Sequence, residues 1–286
     1  MQEIEKNWKD YECIDAGNGY KLERWKDVIL SRPESHANWS KNPQVRDWKE
    51  VHAHYQLKDN KGEWQMKQDL PETWTINYKD LTFKVSPTSF KHTGLFPEQA
   101  ANWDWMRKLI ENEKREIRVL NLFAYTGGAT MACSKAGASE VVHVDASKGM
   151  IAWAKENQQL CGLEDHKIRY IVDDVLKFVE REKRRGHTYH GILMDPPSFG
   201  RGPKGELWQF EKQIIDLIDA CKEILDEKPL FFLVNAYTLG FSDDLLYKDL
   251  KFAFNKAKVV TGEIGLPITH QEQILPCGIY GRVSFK

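Results

Sequence analysis

The chain has 286 residues, and its 41 Lys and Arg nearly balance its 42 Asp and Glu. That length suits one domain of ordinary size together with a smaller one. Because the net charge is close to zero, attraction of nucleic acid by the whole molecule is excluded, and any such affinity must come from a local patch. No apolar run approaches the ~18 residues of a membrane helix and no leader segment is evident, so we expect a soluble protein.

The cysteines predict a reducing, cytoplasmic setting. There are five of them, an odd number, and they are widely spaced along the chain. No C-x-x-C pair indicates a zinc site or a disulfide framework, so we expect free thiols and no bound metal. The five are Cys13, Cys133, Cys161, Cys221 and Cys277.

Residues 1–95 predict a small antiparallel β domain with a possible role in substrate recognition. This part breaks often at turn residues and holds six of the ten tryptophans. Its aromatic side chains could stack nucleobases, but in so small a domain they more often form the core. With 15 basic and 15 acidic residues it shows no basic footprint. The predicted strands are Tyr20–Trp25, Val51–Leu57, Glu63–Met66, Thr73–Tyr78 and Leu81–Val85.

Residues 96–286 predict an α/β domain, because strands and helices alternate from Ile117 onward. A linker, Phe90–Gln99, leads into its first helix. The later helices are predicted at Ala129–Ala136, Ser147–Leu160, Val175–Arg185, Glu206–Leu225 and Ser242–Asn255. The fifth strand is predicted at Pro229–Val234, and the chain closes with strands at Lys258–Ile264 and Ile279–Phe285, joined by a loop that carries Cys277.

Four predicted strands each deliver polar groups or a glycine turn at their carboxyl ends. Asp145 lies about 20 residues past the glycine turn, where an acid can accept hydrogen bonds from both hydroxyls of a ribose. The glycines do not follow the G-x-G-x-x-G spacing, so the turn alone is weak evidence. Together the four ends predict one ligand crevice. They are Val119–Leu122 with Gly127 and Gly128, Glu140–Val144 with Asp145, Ile168–Val172 with Asp173 and Asp174, and Gly191–Met194 with Asp195.

The segment Asp195–Phe199, DPPSF, carries the most chemical information. Two successive prolines remove two N–H donors, so the backbone there can only accept hydrogen bonds, beside a carboxylate that also accepts them. The aromatic ring at the end of the segment can lie over another flat ring. The segment therefore predicts a site for a planar nitrogen heterocycle, with a purely structural Pro-Pro turn as the alternative.

Five motifs occur in order between Phe90 and Gly202: FKHTGLFPEQ, VLNLFAYTGGAT, HVDASKGMIAWAKENQQLCGL, DDVLKF and DPPSFGRG. In this combination the chain resembles the class I S-adenosylmethionine-dependent methyltransferases related to the large-subunit ribosomal RNA (cytosine-C5 and guanine-N7) methyltransferases, over roughly residues 90–286. The resemblance implies a doubly wound, Rossmann-like, seven-stranded methyltransferase sheet. It also implies S-adenosyl-L-methionine as cofactor and a nucleobase in RNA as substrate.

The resemblance assigns a role to each cofactor residue. Six consecutive residues would line the methionine part of the cofactor: Phe123, Ala124, Tyr125, Thr126, Gly127 and Gly128. Asp145 would hold the ribose, with Ser147 beside it. Asp174 would accept a hydrogen bond from the adenine amine, with Asp173 as its neighbour.

The resemblance also assigns the catalytic residues, all of them in the DPPSF segment. Asp195 would lie next to the transferable methyl group, and Phe199 would stack on the target base. Pro196 and Pro197 would complete the cradle for the base. The following loop, Gly200–Gly205, is expected to be mobile without substrate, and its two cations would meet phosphate if the substrate is RNA.

The atom methylated is left open by one departure from the family pattern. Members that make 5-methylcytosine have a cysteine just past strand five, because a thiolate must add to the ring before that carbon becomes nucleophilic. This chain has Asn235, Ala236 and Tyr237 there, and only Cys277 could serve instead. Transfer to a ring nitrogen needs alignment alone, so we favour nitrogen.

Other functions remain open at this point. A methyltransferase acting on a protein or a small molecule is one, since the N-terminal part is not the RNA-binding module usual in the family. A non-catalytic cofactor-binding module is another. An NAD-dependent dehydrogenase would have no use for the DPPSF segment and usually keeps the G-x-G-x-x-G spacing.

Overall fold

The computed structural model describes residues 2–58, 61–238 and 240–285. The chain divides into two compact units. The α/β unit consists of Met1–Glu3, Ala101–Glu263 and Gly278–Lys286, and the β unit consists of Ile4–Ala100 and Ile264–Cys277. The predicted division at residues 95 and 96 stays a prediction. In the structure one late segment of the chain, Ile264–Cys277, groups with the N-terminal residues.

The secondary structure of the described residues is as follows. The strands are β1 (Gln2–Ile4), β2 (Tyr11–Gly17), β3 (Tyr20–Trp25), β4 (Val28–Pro33), β5 (Ala53–Lys58), β6 (Lys61–Met66), β7 (Trp74–Tyr78), β8 (Leu81–Val85), β9 (Arg118–Leu122), β10 (Glu140–Asp145), β11 (Ile168–Val172), β12 (Gly191–Met194), β13 (Phe199–Arg201), β14 (Leu207–Gln209), β15 (Phe231–Ala236), β16 (Lys258–Pro267) and β17 (Ile274–Ser284). The helices are α1 (Ala100–Glu111), α2 (Gly128–Lys135), α3 (Lys148–Leu160), α4 (Val175–Arg185), α5 (Phe210–Lys222) and α6 (Asp243–Ala253).

The large sheet has the strand order β1-β16-β17-β15-β12-β9-β10-β11. Its central strands β11, β10, β9, β12 and β15 pair in parallel, and β17 runs antiparallel to β15. Strands β12 and β15 are apolar along most of their length, as expected when helices cover both faces of a parallel sheet. The doubly wound, Rossmann-like α/β fold is confirmed, and β1 adds an eighth strand beside the seven predicted.

The two faces of this sheet pack differently. Apolar residues of β9, β10 and β12 form one core with α4, α5 and α6, which includes Phe178, Ile214 and Leu246. The opposite face carries His143, which contacts Thr130 of α2. Because the strand after β9 in the sequence, β10, lies on one side of it and β12 on the other, β9 is the point at which the chain order reverses. Ligands bind beyond the carboxyl ends of the strands at such a point.

The β unit contains a sheet with the order β2-β3-β4-β5-β6 and the separate hairpin β7-β8. This hairpin joins the strands predicted at Thr73–Tyr78 and Leu81–Val85, and Tyr78 pairs with Leu81 beside its turn. The prediction of a purely antiparallel domain is wrong at one pair, because β4 and β5 run in parallel. Strands β2 and β4 were not predicted from the sequence. Each contains one charged residue that is buried and paired in the structure. Asp15 of β2 accepts from the Trp48 indole N–H at 2.6 Å, and Arg32 of β4 donates to the Glu23 carboxylate at 2.6 and 2.8 Å.

Two predictions for the α/β half of the chain are wrong in part. The helix expected at 206–225 begins only at Phe210, because Leu207–Gln209 pair as β14 with β13. Leu207, which lies within the predicted helix, is exposed, whereas Cys221 is buried. Cys277 does not lie in a loop, because β17 begins at Ile274.

Within the described residues, no helix combines the length and hydropathy that crossing a bilayer requires.

The packing between β12 and β15 gives a direct test of this sheet. A Cβ atom at Gly191 would lie 2.4 Å from the ring of Phe231, which is fully buried on the neighbouring strand. We expect Gly191→Ala to lower the free energy of unfolding by about 1–3 kcal/mol, as overpacking does. Urea denaturation followed by circular dichroism measures this.

The matched control is Gly149→Ala in the first turn of α3, where the nearest atom to the new Cβ is Ser147 Oγ at 3.7 Å. That change should raise the free energy of unfolding by about 0.5–1 kcal/mol, because alanine is favoured over glycine within a helix. Equal stability of the two variants would contradict the β12–β15 packing.

Candidate active site

The carboxyl ends of four parallel strands lie side by side in the order β12-β9-β10-β11. Leu122 at the end of β9 pairs with Met194 of β12 and with Val144 of β10, so the ends are level. Asp145 in turn pairs with Val172 of β11. The residues that follow these strands include every predicted site residue. They are Phe123–Gly128 after β9, Asp145 and Ser147 at the end of β10, Asp173 and Asp174 after β11, and Asp195, Pro196, Pro197 and Phe199 after β12.

The turn between β9 and α2 has an unusual backbone. Phe123, Tyr125 and Gly127 have φ angles of 55°, 51° and 87°, in the left-handed region. Such a conformation costs a non-glycine residue of order 1–3 kcal/mol and persists only where the surroundings fix it. Here the Ala124 N–H donates to the Val144 carbonyl at 3.0 Å, and the Gly127 N–H donates to the Ala124 carbonyl at 3.0 Å. The turn is therefore a fixed feature of the fold.

The Asp145 carboxylate connects this turn to the next helix. Its Oδ2 accepts a hydrogen bond from the Tyr125 N–H at 2.9 Å, and its Oδ1 accepts one from the Ser147 N–H at 2.8 Å. Burial raises the pKa of Asp145, and the two N–H donors oppose that shift. A carboxylate offers about four acceptor positions, and the two bonds use half of them. The Asp145 carboxylate can therefore still accept hydrogen bonds from the hydroxyls of a ribose.

Buried polar side chains that the sequence did not single out support the turn from below. Asn157 of α3 is fully buried, and its Nδ2 donates to the Thr126 carbonyl at 2.9 Å. Beneath the same turn, the Thr130 hydroxyl lies 2.9 Å from Asn121 Nδ2 and 2.9 Å from His143 Nδ1. Burial lowers the pKa of His143 to about 3, so its ring is neutral. For Asn121 and His143 the sequence did contain a signal that could have identified them, because each is a polar residue within an otherwise mainly apolar predicted strand.

Glycine is required where α2 begins. A Cβ atom at Gly128 would lie 2.5 Å from the indole ring of Trp103 on α1, and Trp103 is buried. At Gly127 the positive φ angle of 87° favours glycine independently of space. The helix that follows presents its N-terminal N–H groups to the crevice edge, where such groups favour anionic or polar ligand atoms.

The two acids after β11 are both engaged within the protein. Asp174 caps α4 by accepting from the Lys177 N–H at 3.0 Å. Asp173 accepts from the Asp174 N–H at 2.9 Å and forms an ion pair with Arg181 at 2.5 Å. The Asp173 N–H donates to the Asp145 carbonyl at 3.2 Å, which places the two strand ends in contact. Contact of Asp174 with adenine stays a prediction.

The DPPSF segment forms a closely held turn at the end of β12. The Asp195 N–H donates to the Leu122 carbonyl at 3.3 Å, which places Asp195 beside the start of the left-handed turn. The Pro197 carbonyl accepts from the Trp208 indole N–H at 2.7 Å, and the Trp208 ring contacts the Phe123 ring with centroids 4.9 Å apart. Phe199 has 56% of its surface exposed, unusual for a phenylalanine, so its ring is available to stack.

The segment expected as a mobile loop, 200–205, belongs to the hairpin β13-β14. Glu206 accepts from the Lys204 N–H at 2.8 Å and pairs with the Lys177 ammonium at 2.6 Å. The pairing with Lys177 and the nearby N–H groups lower the pKa of Glu206 to about 2. A Cβ atom at Gly202 would lie 3.1 Å from Asp174 Oδ2, so the hairpin approaches the start of α4 closely. Its mobility stays a prediction.

Some members of the family have a cysteine nucleophile just past the strand predicted here at Pro229–Val234. In this chain a buried amide network lies at that place. Asn235 lies in β15 and accepts from Asn102 Nδ2 at 2.9 Å. Arg282 donates to Asn102 Oδ1 at 2.8 Å and to Glu3 at 3.1 Å, and its guanidinium lies 4.4 Å from the centre of the Tyr280 ring. All five cysteines are free and buried. In the described ranges, no cluster of three His, Cys, Asp or Glu could hold a metal ion.

Comparison with known proteins identifies the family of this chain and its cofactor. Residues 32–225 match the model of the S-adenosylmethionine-dependent methyltransferase family. The chain belongs to that family. S-adenosylmethionine is its cofactor, and the described crevice fits it: fixed N–H donors at the start of a helix, a left-handed turn and an acid with acceptor capacity left over.

Solved structures agree with this assignment. The methyltransferase is 38% identical to the S-adenosylmethionine-dependent methyltransferase from Agrobacterium tumefaciens, with a TM-score of 0.96 over 100% of this chain and 94% of that chain. It also shares its fold with SMU.776, which was solved with S-adenosylhomocysteine. That likeness has a TM-score of 0.74 and 20% identity, and it covers 97% of this chain and 76% of that chain.

Curated relatives match over a shorter stretch. The ribosomal RNA large subunit methyltransferase K/L of Magnetococcus marinus is 31% identical over 169 residues, which are 58% of this chain and 22% of the relative. The protein of the same name from Shewanella frigidimarina is 33% identical over 144 residues, 50% of this chain and 19% of the relative. The match thus spans about a fifth of these relatives' length.

The Asp145 contacts generate a prediction for cofactor binding by the methyltransferase. We expect Asp145→Asn to weaken S-adenosylmethionine binding by about 1.5–3 kcal/mol, because the charged acceptor for the ribose and for two N–H groups is lost. Because burial raises the pKa of Asp145, wild-type affinity should also fall on acidification at a higher pH than for an exposed aspartate. Titration calorimetry across the acidic range measures both effects.

Asp165→Asn is the matched control, since Asp165 is exposed and precedes β11 at its opposite end. Its affinity should equal that of the wild type. Unchanged affinity in Asp145→Asn would contradict the placement of the ribose at Asp145.

Proposed function

We propose that this methyltransferase transfers a methyl group from S-adenosylmethionine to a ring nitrogen of a nucleobase in RNA, with ribosomal RNA as the class of substrate. The observation that carries the proposal is the DPPSF turn. At the end of β12 it combines an acid, two prolines without N–H donors and an exposed aromatic ring. The names of the curated relatives support the substrate class. A cytoplasmic location is part of the proposal and agrees with the five free cysteines.

The turn suits a flat nitrogen heterocycle because of what its backbone lacks. Pro196 and Pro197 have no N–H, so the groups facing a base there accept hydrogen bonds, and amino or ring N–H groups of a base would donate to them. The Pro197 carbonyl accepts from Trp208. In this proposal the Pro196 carbonyl and the Asp195 carboxylate accept from the base. The exposed Phe199 ring would cover one face of the base.

Transfer to nitrogen is supported by the state of the cysteines. A carbon nucleophile in cytosine requires a thiolate that reaches the ring. Cys277 is buried, its Sγ donates to the Leu275 carbonyl at 3.5 Å, and burial raises the pKa of its thiol well above the usual value. The place of the family's cysteine is taken by Asn235 of β15, which accepts a hydrogen bond from Asn102. A ring nitrogen can use its lone pair without covalent assistance from the protein.

The protein's part in the reaction is positioning. Bound S-adenosylmethionine supplies a methyl group on a positively charged sulfur. Asp145 and the left-handed turn hold the ribose and methionine parts, while Asp195 and Phe199 orient the base with its lone pair toward the methyl group. Such alignment can supply much of the ~7–11 kcal/mol obtainable from orientation. Attack by a ring-nitrogen lone pair leaves the positive charge on the methylated base, so the protein need supply no acid–base step.

Methylation of RNA by the full chain tests this proposal. RNA incubated with enzyme and deuterium-labelled S-adenosylmethionine is digested to nucleosides and analysed by mass spectrometry. We expect label in a nitrogen-methylated nucleoside. Asp195→Asn should lower the rate by ~100-fold or more, because a group that positions the reacting atoms is weakened.

Two controls complete the experiment. Asp165→Asn removes an exposed acid far along the sequence from the turn, and Cys277→Ala removes the thiol, and both should keep the rate. Label in 5-methylcytosine with an inactive Cys277→Ala variant would make Cys277 the nucleophile and overturn transfer to nitrogen. Label in protein or metabolites alone would move the substrate to those classes, and no transfer at all would indicate a non-catalytic cofactor-binding module.

A further inference from the structure

The β unit contains a cavity of about 420 Å³ that no part of the cofactor site uses. This volume lies within the range typical of small-ligand sites. Its walls come from the sheet β2-β6 and from the segment between β4 and β5. The lining residues are Gly17, Asn18, Tyr20, Ser31, Lys41, Trp48, Val51, His54 and Lys67.

Three aromatic rings line the cavity, and they are held in place. Tyr20 of β3 contacts His54 of β5 in a tilted arrangement, with ring centroids 5.1 Å apart and planes at 31°. Trp48 is half-buried, and its indole N–H donates to Asp15 Oδ2 at 2.6 Å. Rings fixed in this way present flat surfaces on which a base can stack without further ordering.

The charge of the lining is positive. Lys41 and Lys67 are exposed at the cavity, and none of its described lining residues is acidic. Asp15 lies behind Trp48, with Oδ2 bonded to Trp48 and Oδ1 bonded to Gln271 at 2.6 Å. Burial, together with Lys67 and Lys41, lowers the pKa of His54, as expected in a positive environment. An anionic group is therefore favoured at this cavity.

A buried hydroxyl at the cavity points to a ligand independently of charge. Ser31 is 2% exposed and lines the cavity, and its Oγ has no hydrogen-bond partner among the residues that the structure describes. Ser31 pairs with His54 across the parallel strands β4 and β5, so the hydroxyl lies beside the Tyr20–His54 pair. A buried hydroxyl left unpaired is costly, so a polar partner from a ligand is expected here.

Lys41 connects the aromatic and the charged parts of the site. The Lys41 ammonium lies 4.7 Å from the centre of the Trp48 ring, and the Lys41 backbone N–H donates to Asn18 Oδ1 at 2.9 Å. The backbone there is tightly packed, since a Cβ atom at Gly17 would lie 2.3 Å from Lys41 N. The segment that carries Lys41 is therefore fixed, while its long side chain is free to exchange the ring for a phosphate.

From these observations we propose that the cavity binds an unpaired nucleotide of the RNA substrate, with the base on the aromatic rings and the phosphate between Lys41 and Lys67. The Ser31 hydroxyl pairs with a polar edge of the base or the ribose. This inference rests on the proposed RNA substrate and extends it, because it assigns a recognition role to the β unit. The aromatic residues of this unit thus divide into core, such as the fully buried Trp25, and a binding surface at Trp48.

Binding of a fluorescein-labelled single-stranded hexaribonucleotide of mixed sequence to the full chain, followed by anisotropy, tests this site. We expect Lys41→Ala/Lys67→Ala to raise Kd roughly tenfold and to reduce the slope of log Kd against log salt by roughly 1. Trp48→Ala should raise Kd by roughly 5- to 150-fold. Ser31→Ala should raise it roughly two- to tenfold, without lowering the thermal midpoint, because it removes an unpaired buried hydroxyl.

The matched control is Lys6→Ala/Lys9→Ala, which removes two exposed lysines of the β unit that do not line the cavity and should leave Kd and the slope unchanged. Wild-type affinity in both the lysine pair and Ser31→Ala would overturn the proposal, and these variants keep the test available if Trp48→Ala does not fold. Equal affinity for uridine 5′-monophosphate and the hexamer would overturn the assignment to RNA in favour of a free nucleotide.

Methylation kinetics separate this inference from the proposed function. If the wild type labels RNA and the cavity variants raise KM at unchanged kcat, both stand. If the wild type labels RNA and the cavity variants keep the wild-type KM, the inference fails and the proposed function stands. If the wild type labels no RNA, the proposed function itself fails.

Discussion

The candidate cofactor site depends on one residue, Asp145. Asp145 accepts from the Tyr125 N–H and from the Ser147 N–H, and its carbonyl accepts from the Asp173 N–H. One residue therefore fixes the turn after β9, the start of α3 and the turn after β11. Burying that carboxylate raises its pKa, and the two N–H donors offset part of this cost. From these bonds we expect the backbone of the candidate crevice to be formed before any ligand arrives, which would reduce the ordering that binding requires.

Hydrogen-bonded polar side chains under the turn make this arrangement possible. Two non-glycine residues in the left-handed region store strain, and such strain persists only where the surroundings determine it. Asn157 holds the Thr126 carbonyl, and the Thr130 hydroxyl links Asn121 to His143 below. Buried polar groups of this kind are tolerated because they are paired. The strain of the turn and the polar layer beneath it thus belong to the same structure.

Sequence reasoning placed the candidate site residues at one edge of the sheet, because strand ends carry strong local signals. The apolar runs of β9, β10, β11 and β12 end in glycine or acid, and their parallel pairing brings those ends together. It failed where pairing with another segment of the chain decides the outcome. Leu207–Gln209 fits a helical stripe, yet pairs with β13 and places the Trp208 N–H on the Pro197 carbonyl. Likewise the sequence of β4 did not predict a buried strand, because Arg32 is charged. Only the pairing of Arg32 with Glu23 explains why Arg32 is buried. The cavity of the β unit could not be predicted at all, since its lining is spread from Gly17 to Lys67.

Amide hydrogen exchange at Tyr125 measures most directly whether one carboxylate preforms the cofactor site. The Tyr125 N–H points to Asp145 Oδ2 at 2.9 Å within the chain itself. In cofactor-free wild-type protein, exchange at Tyr125 should be slowed well below the rate of an exposed amide, and Asp145→Asn should remove most of this protection while leaving the amides of β12 protected. Exchange of Tyr125 at the rate of an exposed amide in the wild type would contradict the account, because the turn would then form only when the cofactor binds.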